Sequence, residues 1–275
     1  MSVSACILCT RWEITRASKS VLQLFSLQSS SCRPNLRTVV RPDLVLELVA
    51  LTTVLPGEEL NTAYTSCQAG TRERRETLWD NWYFSCTCRR CSDPAECGSH
   101  YSSLVCSVKR CEGPVLADDP LQSSSDFHCS QCGAPYPAPT VQALLSTALA
   151  TISQSEPAQY EETLHQVCQH LHTGHHLLLG LKLRLCQIYG GLQDIPRPAR
   201  ERRRQLLMEV LDCQTKIKYS VEAADVKILT ELMKVSESLA KEDFNFGIID
   251  QERYKQIVMK TKQELVRSIL QFKNK

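Results

Sequence analysis

The sequence lacks a strong net charge and a long apolar run, and each absence excludes a class of protein. The formal net charge is +2, from 32 basic and 30 acidic residues, whereas nucleic-acid-binding domains usually have a pI above about 9. No apolar run approaches the roughly 18 residues that cross a bilayer. We therefore expect neither nucleic acid nor a membrane as a partner.

The first residues, 1–11, also lack the basic start and the long apolar core of a signal peptide. We therefore predict a protein of the reducing cytoplasm or nucleus, where disulfides are rare. The chain nevertheless contains 15 cysteines. Because clustered cysteines in a reducing compartment indicate metal sites, the cysteine spacing carries most of the functional argument.

The C-x-C-x-x-C run over residues 86–91 is the most specific metal-binding pattern in the sequence. A structural zinc ion takes four ligands in a tetrahedron, and this short spacing lets one tight loop supply three thiolates from Cys86, Cys88 and Cys91. Spacing alone does not identify the fourth ligand. The candidates are Cys32, Cys67, Cys97 and Cys106.

Two further cysteine pairs form a second pattern that needs no additional ligand. The pairs Cys106-x4-Cys111 and Cys129-x2-Cys132 lie about 17 residues apart, close to the zinc-ribbon spacing. The sequence therefore predicts two zinc ions. The alternative for both patterns is a set of plain buried thiols.

The remaining cysteines and the clustered histidines are better explained by packing. Cys6 and Cys9 lie in an apolar run, which favours core packing over metal binding. Cysteines among helical leucines are usually buried, and this applies to Cys168, Cys186 and Cys213. Surface or helix-capping positions are predicted for His165, His170, His172, His175 and His176.

The apolar pattern predicts an α+β protein in three parts. Residues 36–40 and 44–51 are strand-like and joined by a turn, so they predict a hairpin. Pro56-Gly57 is typical of a type II turn, and residues 71–82 are helical in composition. The cysteine-rich stretch 86–132 has little periodicity and needs metal to fold.

The last part of the chain, residues 135–275, is predicted to be helical. Apolar stripes favour successive antiparallel helices, the first of them capped by Thr140, although no clean 34-residue tetratricopeptide repeat is visible. The basic run 197–204 lies near the start of one such helix. It predicts a solvated face, with an acidic partner as the alternative.

Several short motifs follow one another along the first part of the chain. They are Ser31-Cys32-Arg33-Pro34-Asn35, then Gly57-Glu58-Glu59-Leu60 with Tyr64, then Arg75, Leu78, Trp82 and Phe84 ahead of the C-x-C-x-x-C run. The motifs and their order resemble the SET and MYND domain (SMYD) family of protein-lysine methyltransferases. The second cysteine pattern, with Cys111-Glu112-Gly113 and Asp126-Phe127-His128-Cys129, is similar to the arthropod branch of that family.

The resemblance implies a domain order and a set of site residues. It implies the C-terminal half of a SET domain over residues 1–84, a post-SET zinc segment over 85–134 and a helical, tetratricopeptide-like domain over 135–275. It makes Cys32 the fourth zinc ligand beside Cys86, Cys88 and Cys91. It also implies that Asn35 and Phe84 contact the cofactor and that Tyr64 lines the lysine channel.

The implied activity is methyl transfer from S-adenosylmethionine to a lysine of a protein such as a histone tail. Where the family has Asn-His before Ser-Cys, however, this chain has Ser29-Ser30. The match also begins after the family's N-terminal SET portion and MYND finger. We therefore expect a shortened family member that is inactive alone. The alternative is a non-catalytic, zinc-stabilised module that binds other proteins.

Overall fold

A computed structural model describes residues 10–13, 29–40, 45–191, 195–217 and 223–273. Within these ranges, short strands come first and long helices last, which confirms the predicted α+β class. The Cys6 and Cys9 pair and the turn predicted at 41–43 lie outside the described residues. None of the helices in these ranges combines the length and apolar composition that crossing a bilayer requires.

The predicted hairpin is present in the first sheet. Strands β3 (Leu36–Val40) and β4 (Val45–Ala50) pair antiparallel, with Leu36 opposite Ala50. Strand β1 (Thr10–Glu13) pairs with the other edge of β4, which gives the order β1-β4-β3. Valine and leucine are frequent in β3 and β4, as is typical of strands.

A second pairing brings the segment before Cys32 next to a later loop. Strand β2 (Ser29–Ser30) runs parallel to β5 (Asn61–Thr62). The predicted turn before β5 is confirmed, because the Glu58 amide donates to the Leu55 carbonyl across 3.0 Å and Gly57 has a φ of 86°.

Helix α1 (Thr71–Trp82) was predicted from composition and is confirmed. Its buried side chains are Thr71, Arg74 and Leu78, whose spacing places them on one face. The helix ends at Tyr83, which has a left-handed φ of 57° and donates its amide to the Trp79 carbonyl. This reversal directs the chain into the cysteine run.

The cysteine-rich stretch contains more regular structure than its sequence predicted. A short helix α2 (Arg89–Ser92) is followed by a four-stranded antiparallel sheet in the order β6-β7-β8-β9. The strands are Leu104–Val105, Pro114–Ala117, Phe127–Cys129 and Pro135–Tyr136. Strands this short do not show the alternation by which strands are recognised in a sequence.

Long helices make up the rest of the described chain. Helix α3 begins at Ala138 with Pro137 as its N-cap, three residues before the N-cap predicted at Thr140, so that prediction was wrong. A 3₁₀ turn, Pro157–Gln159, separates α3 from the next helix. The helices are α3 (Ala138–Gln154), α4 (Tyr160–Val167), α5 (His176–Gly191), α6 (Arg197–Ile217), α7 (Ala223–Asn245) and α8 (Gln251–Lys273).

The basic run at the start of α6 pairs with acidic side chains of this chain. Arg197 lies 2.6 Å from Asp243, near the end of α7, so α6 and α7 are antiparallel. Three more pairs follow along α6: Arg200 with Glu242, Arg202 with Glu161, and Arg203 with Glu231. The prediction of a merely solvated face was therefore wrong, because these arginines connect helices.

One apolar core extends from the cysteine-rich sheet into the helices. It contains Tyr101, Leu104 and Val115 from the sheet region together with helical residues as far as Val235. A separate, smaller cluster surrounds Leu78 and includes Cys32, Cys86 and Cys91. The predicted packing positions of Cys186 and Cys213 are confirmed, since these side chains are only 4% and 8% exposed.

Main-chain hydrogen bonds join the helical region to the cysteine-rich stretch. The Val105 amide donates to the His170 carbonyl across 2.9 Å, and the His172 amide donates to the Ser103 carbonyl across 3.1 Å. His175 is buried, and its Nδ1 accepts the Leu177 amide at the start of α5. Of the two alternatives predicted for His175, helix capping is confirmed, and a surface position is wrong because the side chain is buried.

Candidate metal centres

Four cysteine sulfurs from two distant segments converge to form the first quartet, Cys32, Cys86, Cys88 and Cys91. Their sulfurs all lie within 4.8 Å of one another. The Sγ of Cys32 is 3.5 Å from that of Cys91 and 3.9 Å from that of Cys86. A tetrahedron with Zn–S bonds of about 2.3 Å has S–S edges of about 3.8 Å, whereas a disulfide needs about 2.05 Å. The first quartet could therefore hold a zinc ion.

The local folds on both sides of this quartet explain the convergence. Cys32 follows β2, and the Ser31 amide donates to the Thr62 carbonyl across 3.0 Å, which holds that loop on β5. Cys88 caps α2 and Cys91 lies on it. Leu78 of α1 is fully buried against the group. Neither Cys67 nor Cys97, which spacing left as alternatives, belongs to this group.

A buried group of ionic side chains lies directly behind the first quartet. Arg74 and Arg90 are both fully buried, and Glu96 is 1% exposed. The Nη1 of Arg74 donates to Glu96 Oε2 across 2.7 Å, and the Nε of Arg90 donates to the same oxygen across 2.9 Å. The Nη2 of Arg74 also lies 3.4 Å from the Sγ of Cys91. This arrangement brings a cation to a candidate metal ligand.

The remaining hydrogen bonds of the group fix the loops that carry the ligands. Arg90 donates to the carbonyls of Cys67 and Cys32, at 2.7 and 3.4 Å. The other oxygen of Glu96 accepts from Ser102 and from the Thr71 amide. Burial alone would raise the pKa of Glu96, but the two guanidiniums outweigh it and hold that pKa below its usual value. Glu96 therefore stays ionised.

The second quartet consists of Cys106, Cys111, Cys129 and Cys132, the four residues that spacing predicted. The Sγ of Cys106 lies 3.6 Å from that of Cys132, and the Sγ of Cys111 lies 3.6 Å from that of Cys129. These distances also match the edges of a zinc–sulfur tetrahedron. This quartet, too, could hold a zinc ion.

Short loops of the four-stranded sheet position the second quartet. The Gln131 amide donates to the Sγ of Cys129 across 3.4 Å, and the Tyr136 hydroxyl donates to the Sγ of Cys106 across 3.3 Å. Glycine is needed at residue 113, because a Cβ atom on Gly113 would lie 2.9 Å from the Sγ of Cys129. The sheet therefore approaches the sulfurs too closely for a side chain there.

The two aromatic residues to which the resemblance assigns site roles contact each other. The rings of Tyr64 and Phe84 meet edge to face with centroids 6.4 Å apart, and Tyr64 lies 4.8 Å from the ring of Trp82. Both Tyr64 and Phe84 pack against the buried cluster that Leu78 forms with Cys32, Cys86 and Cys91. The structure thus places them side by side, while their roles with cofactor and substrate stay predictions.

The Asn35 side chain is engaged within the protein. Its Nδ2 donates to the Glu59 carbonyl across 2.8 Å, and its Oδ1 accepts the Asn61 amide across 2.9 Å. Ser29 donates its hydroxyl to the carboxylate of Glu59. By contrast, the Ser30 hydroxyl is buried and has no hydrogen-bond partner among the described residues.

Comparison with known proteins gives partial matches to SET-domain proteins. No protein-family model matches the chain. The chain is 26% identical over 135 residues to the SET domain-containing protein SmydA-8, isoform B, of Drosophila melanogaster, a match covering 49% of this chain and 30% of that protein. It is 33% identical over 88 residues to the N-lysine methyltransferase SMYD2-B of Xenopus laevis, covering 30% of this chain and 20% of that protein.

A third match is the histone-lysine N-methyltransferase SET5 of Candida glabrata, 34% identical over 86 residues, covering 31% of this chain and 17% of that protein. The chain thus spans less than a third of the length of these relatives. These partial similarities support a relationship to the SET and MYND domain family of SET-domain proteins.

Proposed function

We propose that this protein acts in S-adenosylmethionine-dependent methylation of protein lysines, with one zinc ion in each cysteine quartet. The observation that carries the proposal is the contact of Tyr64 with Phe84 directly beside the first quartet. Two matched relatives are named as lysine methyltransferases. The proposed substrate is a lysine-containing protein or histone tail, and the proposed setting is the cytoplasm or nucleus, where the thiolates stay reduced.

In this proposal, the first zinc ion fixes the geometry of the aromatic cluster. Phe84 would contact the adenine of the cofactor, and Tyr64 would line the channel for the lysine amine. The cofactor supplies an electrophilic methyl group, and the amine, with a usual pKa near about 10.4, must lose its proton before it attacks. The aromatic side chains contribute alignment of the amine and exclusion of water.

The side chains at residues 29 and 30 can satisfy only part of the hydrogen-bonding groups of S-adenosylmethionine. The buried Ser30 hydroxyl has no partner among the described residues, so it is available to a ligand, but the Ser29 hydroxyl is already used by Glu59. Two short serines replace the family's Asn-His pair. Each cofactor polar group buried without a partner costs about 1–3 kcal/mol, a large part of the roughly 7 kcal/mol that a 10 μM affinity represents. We therefore propose that this chain alone binds the cofactor weakly.

Titration calorimetry with S-adenosylmethionine on zinc-loaded protein tests the proposed weak binding of the cofactor. We expect a dissociation constant weaker than about 100 μM for the chain as it is. The double substitution Ser29→Asn with Ser30→His should tighten binding by about tenfold or more, equivalent to about 1.4 kcal/mol. Tyr64→Phe should leave cofactor affinity unchanged, because Tyr64 is assigned to the lysine side. Tight binding by the unaltered chain would contradict the weak-binding proposal, and an ineffective double substitution would contradict the assignment of residues 29 and 30.

A second candidate function is a non-catalytic module that binds other proteins. The Ser29–Glu59 hydrogen bond favours it, because that bond uses a side chain at a cofactor position. Mass spectrometry of histone and whole-protein substrates separates the two functions. Methyl transfer by the Ser29→Asn, Ser30→His protein would support the enzyme, whereas full zinc content without binding or transfer would support the module.

A further inference from the structure

The two quartets differ in how far solvent reaches their sulfurs. In the first quartet, Cys32, Cys86 and Cys91 are 1%, 3% and 0% exposed, and Cys88 is half-buried. In the second quartet, Cys132 is exposed and Cys111 is half-buried, whereas Cys106 and Cys129 are buried. A dissolved reagent can therefore reach one edge of the second quartet directly.

The quartets also differ in the charge next to their sulfurs. A zinc ion with four thiolates carries a net negative charge, and the buried Arg74 guanidinium donates to Cys91 in the first quartet. In the described part of the chain, the donors to sulfurs of the second quartet are neutral, and they include the Tyr136 hydroxyl and the Gln131 amide. Among thiolates that a metal has already deprotonated, one beside a cation is the weaker nucleophile, because nucleophilicity falls with the pKa of the thiol. Exposure in addition gives a reagent access to the sulfur.

We propose that the second quartet is a site of oxidation by peroxides, with Cys132 as the attacking thiolate and Cys106 as the resolving one. Cys106 is suited to this step because its sulfur lies 3.6 Å from that of Cys132. A disulfide of about 2.05 Å requires the two sulfurs to approach by only about 1.5 Å.

The chemistry balances with hydrogen peroxide as oxidant. The Cys132 thiolate attacks one peroxide oxygen, the O–O bond breaks, and hydroxide leaves and takes a proton to become water. The Cys106 thiolate then attacks the sulfenic sulfur of Cys132, forms the S–S bond and expels a second hydroxide, which also becomes water. The two thiolates together supply the two electrons. Only Cys111 and Cys129 would then remain as ligands, too few to hold a zinc ion in the quartet.

Oxidation of this quartet would also affect the packing of the helical region. Cys106 and Cys129 belong to the same apolar core as Val115, Tyr136 and the helices. The core holds the four-stranded sheet, whose loops the zinc ion would fix. Zinc loss therefore removes a constraint at the edge of the core that supports α3 to α7.

Zinc release and disulfide mapping on the full zinc-loaded chain test the proposal. Increasing hydrogen peroxide should release one of the two ions first, measured with a metallochromic dye, together with a Cys106–Cys132 disulfide found by peptide mass spectrometry. The cysteines of the first quartet should stay reduced at that point, and dithiothreitol with added zinc should restore the metal content. Zinc release from the first quartet first, or from both quartets at the same rate, would overturn the proposal. A first disulfide that does not contain Cys132 would also overturn it.

Substitutions make the test specific for Cys132. Cys132→His keeps a zinc ligand but removes the nucleophile, and it should slow the first release by about tenfold or more. Cys168→Ser, at a half-buried cysteine outside both quartets, should release zinc at the unaltered rate. An unchanged rate in Cys132→His would contradict the proposal.

A measurement on the unaltered protein covers the case in which Cys132→His fails to retain zinc. A limiting amount of iodoacetamide should alkylate Cys132 before the other quartet cysteines, with iodide as the leaving group. Preferential alkylation of a first-quartet cysteine would contradict the proposed difference in reactivity.

Discussion

The Nη2 of Arg74 lies 3.4 Å from the Sγ of Cys91, so a fully buried cation touches a sulfur of the first quartet. The same guanidinium is paired with Glu96, which Arg90 also contacts. The three side chains together carry one net positive charge. That charge lies where a zinc–tetrathiolate centre is negative, which explains how two arginines are tolerated in a core.

Arg74→Met should therefore destabilise the protein and weaken the first zinc site. Removing one partner of a buried ionic group costs about 3–5 kcal/mol, because the remaining charge is left uncompensated. Arg72→Met on the same helix is the matched control, since its pair with Glu76 is half exposed and is worth less than about 1 kcal/mol. Chemical denaturation with zinc analysis measures both effects, and equal stability of the two variants would contradict the role given to Arg74.

Zinc content should be two ions per chain, one for each quartet. Cys32→Ser should reduce it to one ion, because serine is a poor zinc ligand and the first site then has three thiolates. Cys67→Ser should keep both ions, since Cys67 is in neither quartet. Elemental analysis of purified protein decides the matter. A single ion in the unaltered chain would rule out the two-site description.

Gly174→Ala should destabilise the joint between the cysteine-rich stretch and the helices. A Cβ at residue 174 would lie 2.1 Å from the carbonyl oxygen of Ser99, a backbone atom that cannot rotate away. We expect a loss of about 1–3 kcal/mol, the usual cost of overpacking.

Gly180→Ala provides a control with the opposite sign. Residue 180 lies in α5, and a Cβ there meets nothing within 4 Å, so alanine should stabilise the protein by about 0.5–1 kcal/mol. Thermal unfolding of both variants should shift the midpoints in opposite directions. Similar shifts would show that the Ser99 contact is not the cause.

The joint between the cysteine-rich stretch and the helices should weaken as the pH falls below about 6.5, because the folded protein keeps His172 in its neutral form. Burial first, and then His100, Lys182 and Lys216, lower the pKa of His172 to about 4. The unfolded chain has a histidine pKa of about 6.5 and so binds a proton that the folded protein does not. The contribution of neutral His172 to the free energy of unfolding is therefore complete above about pH 6.5 and is lost progressively between about pH 6.5 and 4.

His172→Asn isolates this contribution, because the Asn oxygen can replace the Nδ1 that accepts the Gly174 amide. The fall in unfolding midpoint between pH 7 and pH 5 should be smaller in His172→Asn than in the unaltered protein. His165→Asn, at an exposed position, should keep the full fall. Acid loss of zinc affects all three proteins alike, so an identical pH response would contradict the role of His172.

The sequence was informative where chemistry depends on short spacing. The cysteine spacing over residues 106–132 predicted the second quartet without the family resemblance, because a zinc ribbon brings its cysteines together by local loops. Cys32 could not be chosen over Cys67 by spacing, since its contact with Cys86 spans 54 residues. Only the family resemblance identified it, and the structure brings it to Cys91.

The buried ionic group was missed for a physical reason. Charged residues are almost never fully buried unless they are paired, so Arg74 and Arg90 resembled ordinary surface residues. Their pairing with Glu96 depends on the fold of the cysteine loop. The basic run was misjudged similarly, because the partners of Arg197 and Arg202, Asp243 and Glu161, are distant in sequence.

The separation of Cys32 from the other first-quartet ligands has a consequence for synthesis on the ribosome. Cys86 is translated 54 residues after Cys32, a delay of roughly 3–10 s at about 5–20 residues per second. During that interval Cys32 emerges as a free thiol whose three partners do not yet exist. The second quartet spans only 26 residues between Cys106 and Cys132. When zinc is scarce, we therefore expect nascent chains to be lost to misfolding chiefly through the site that takes longest to translate.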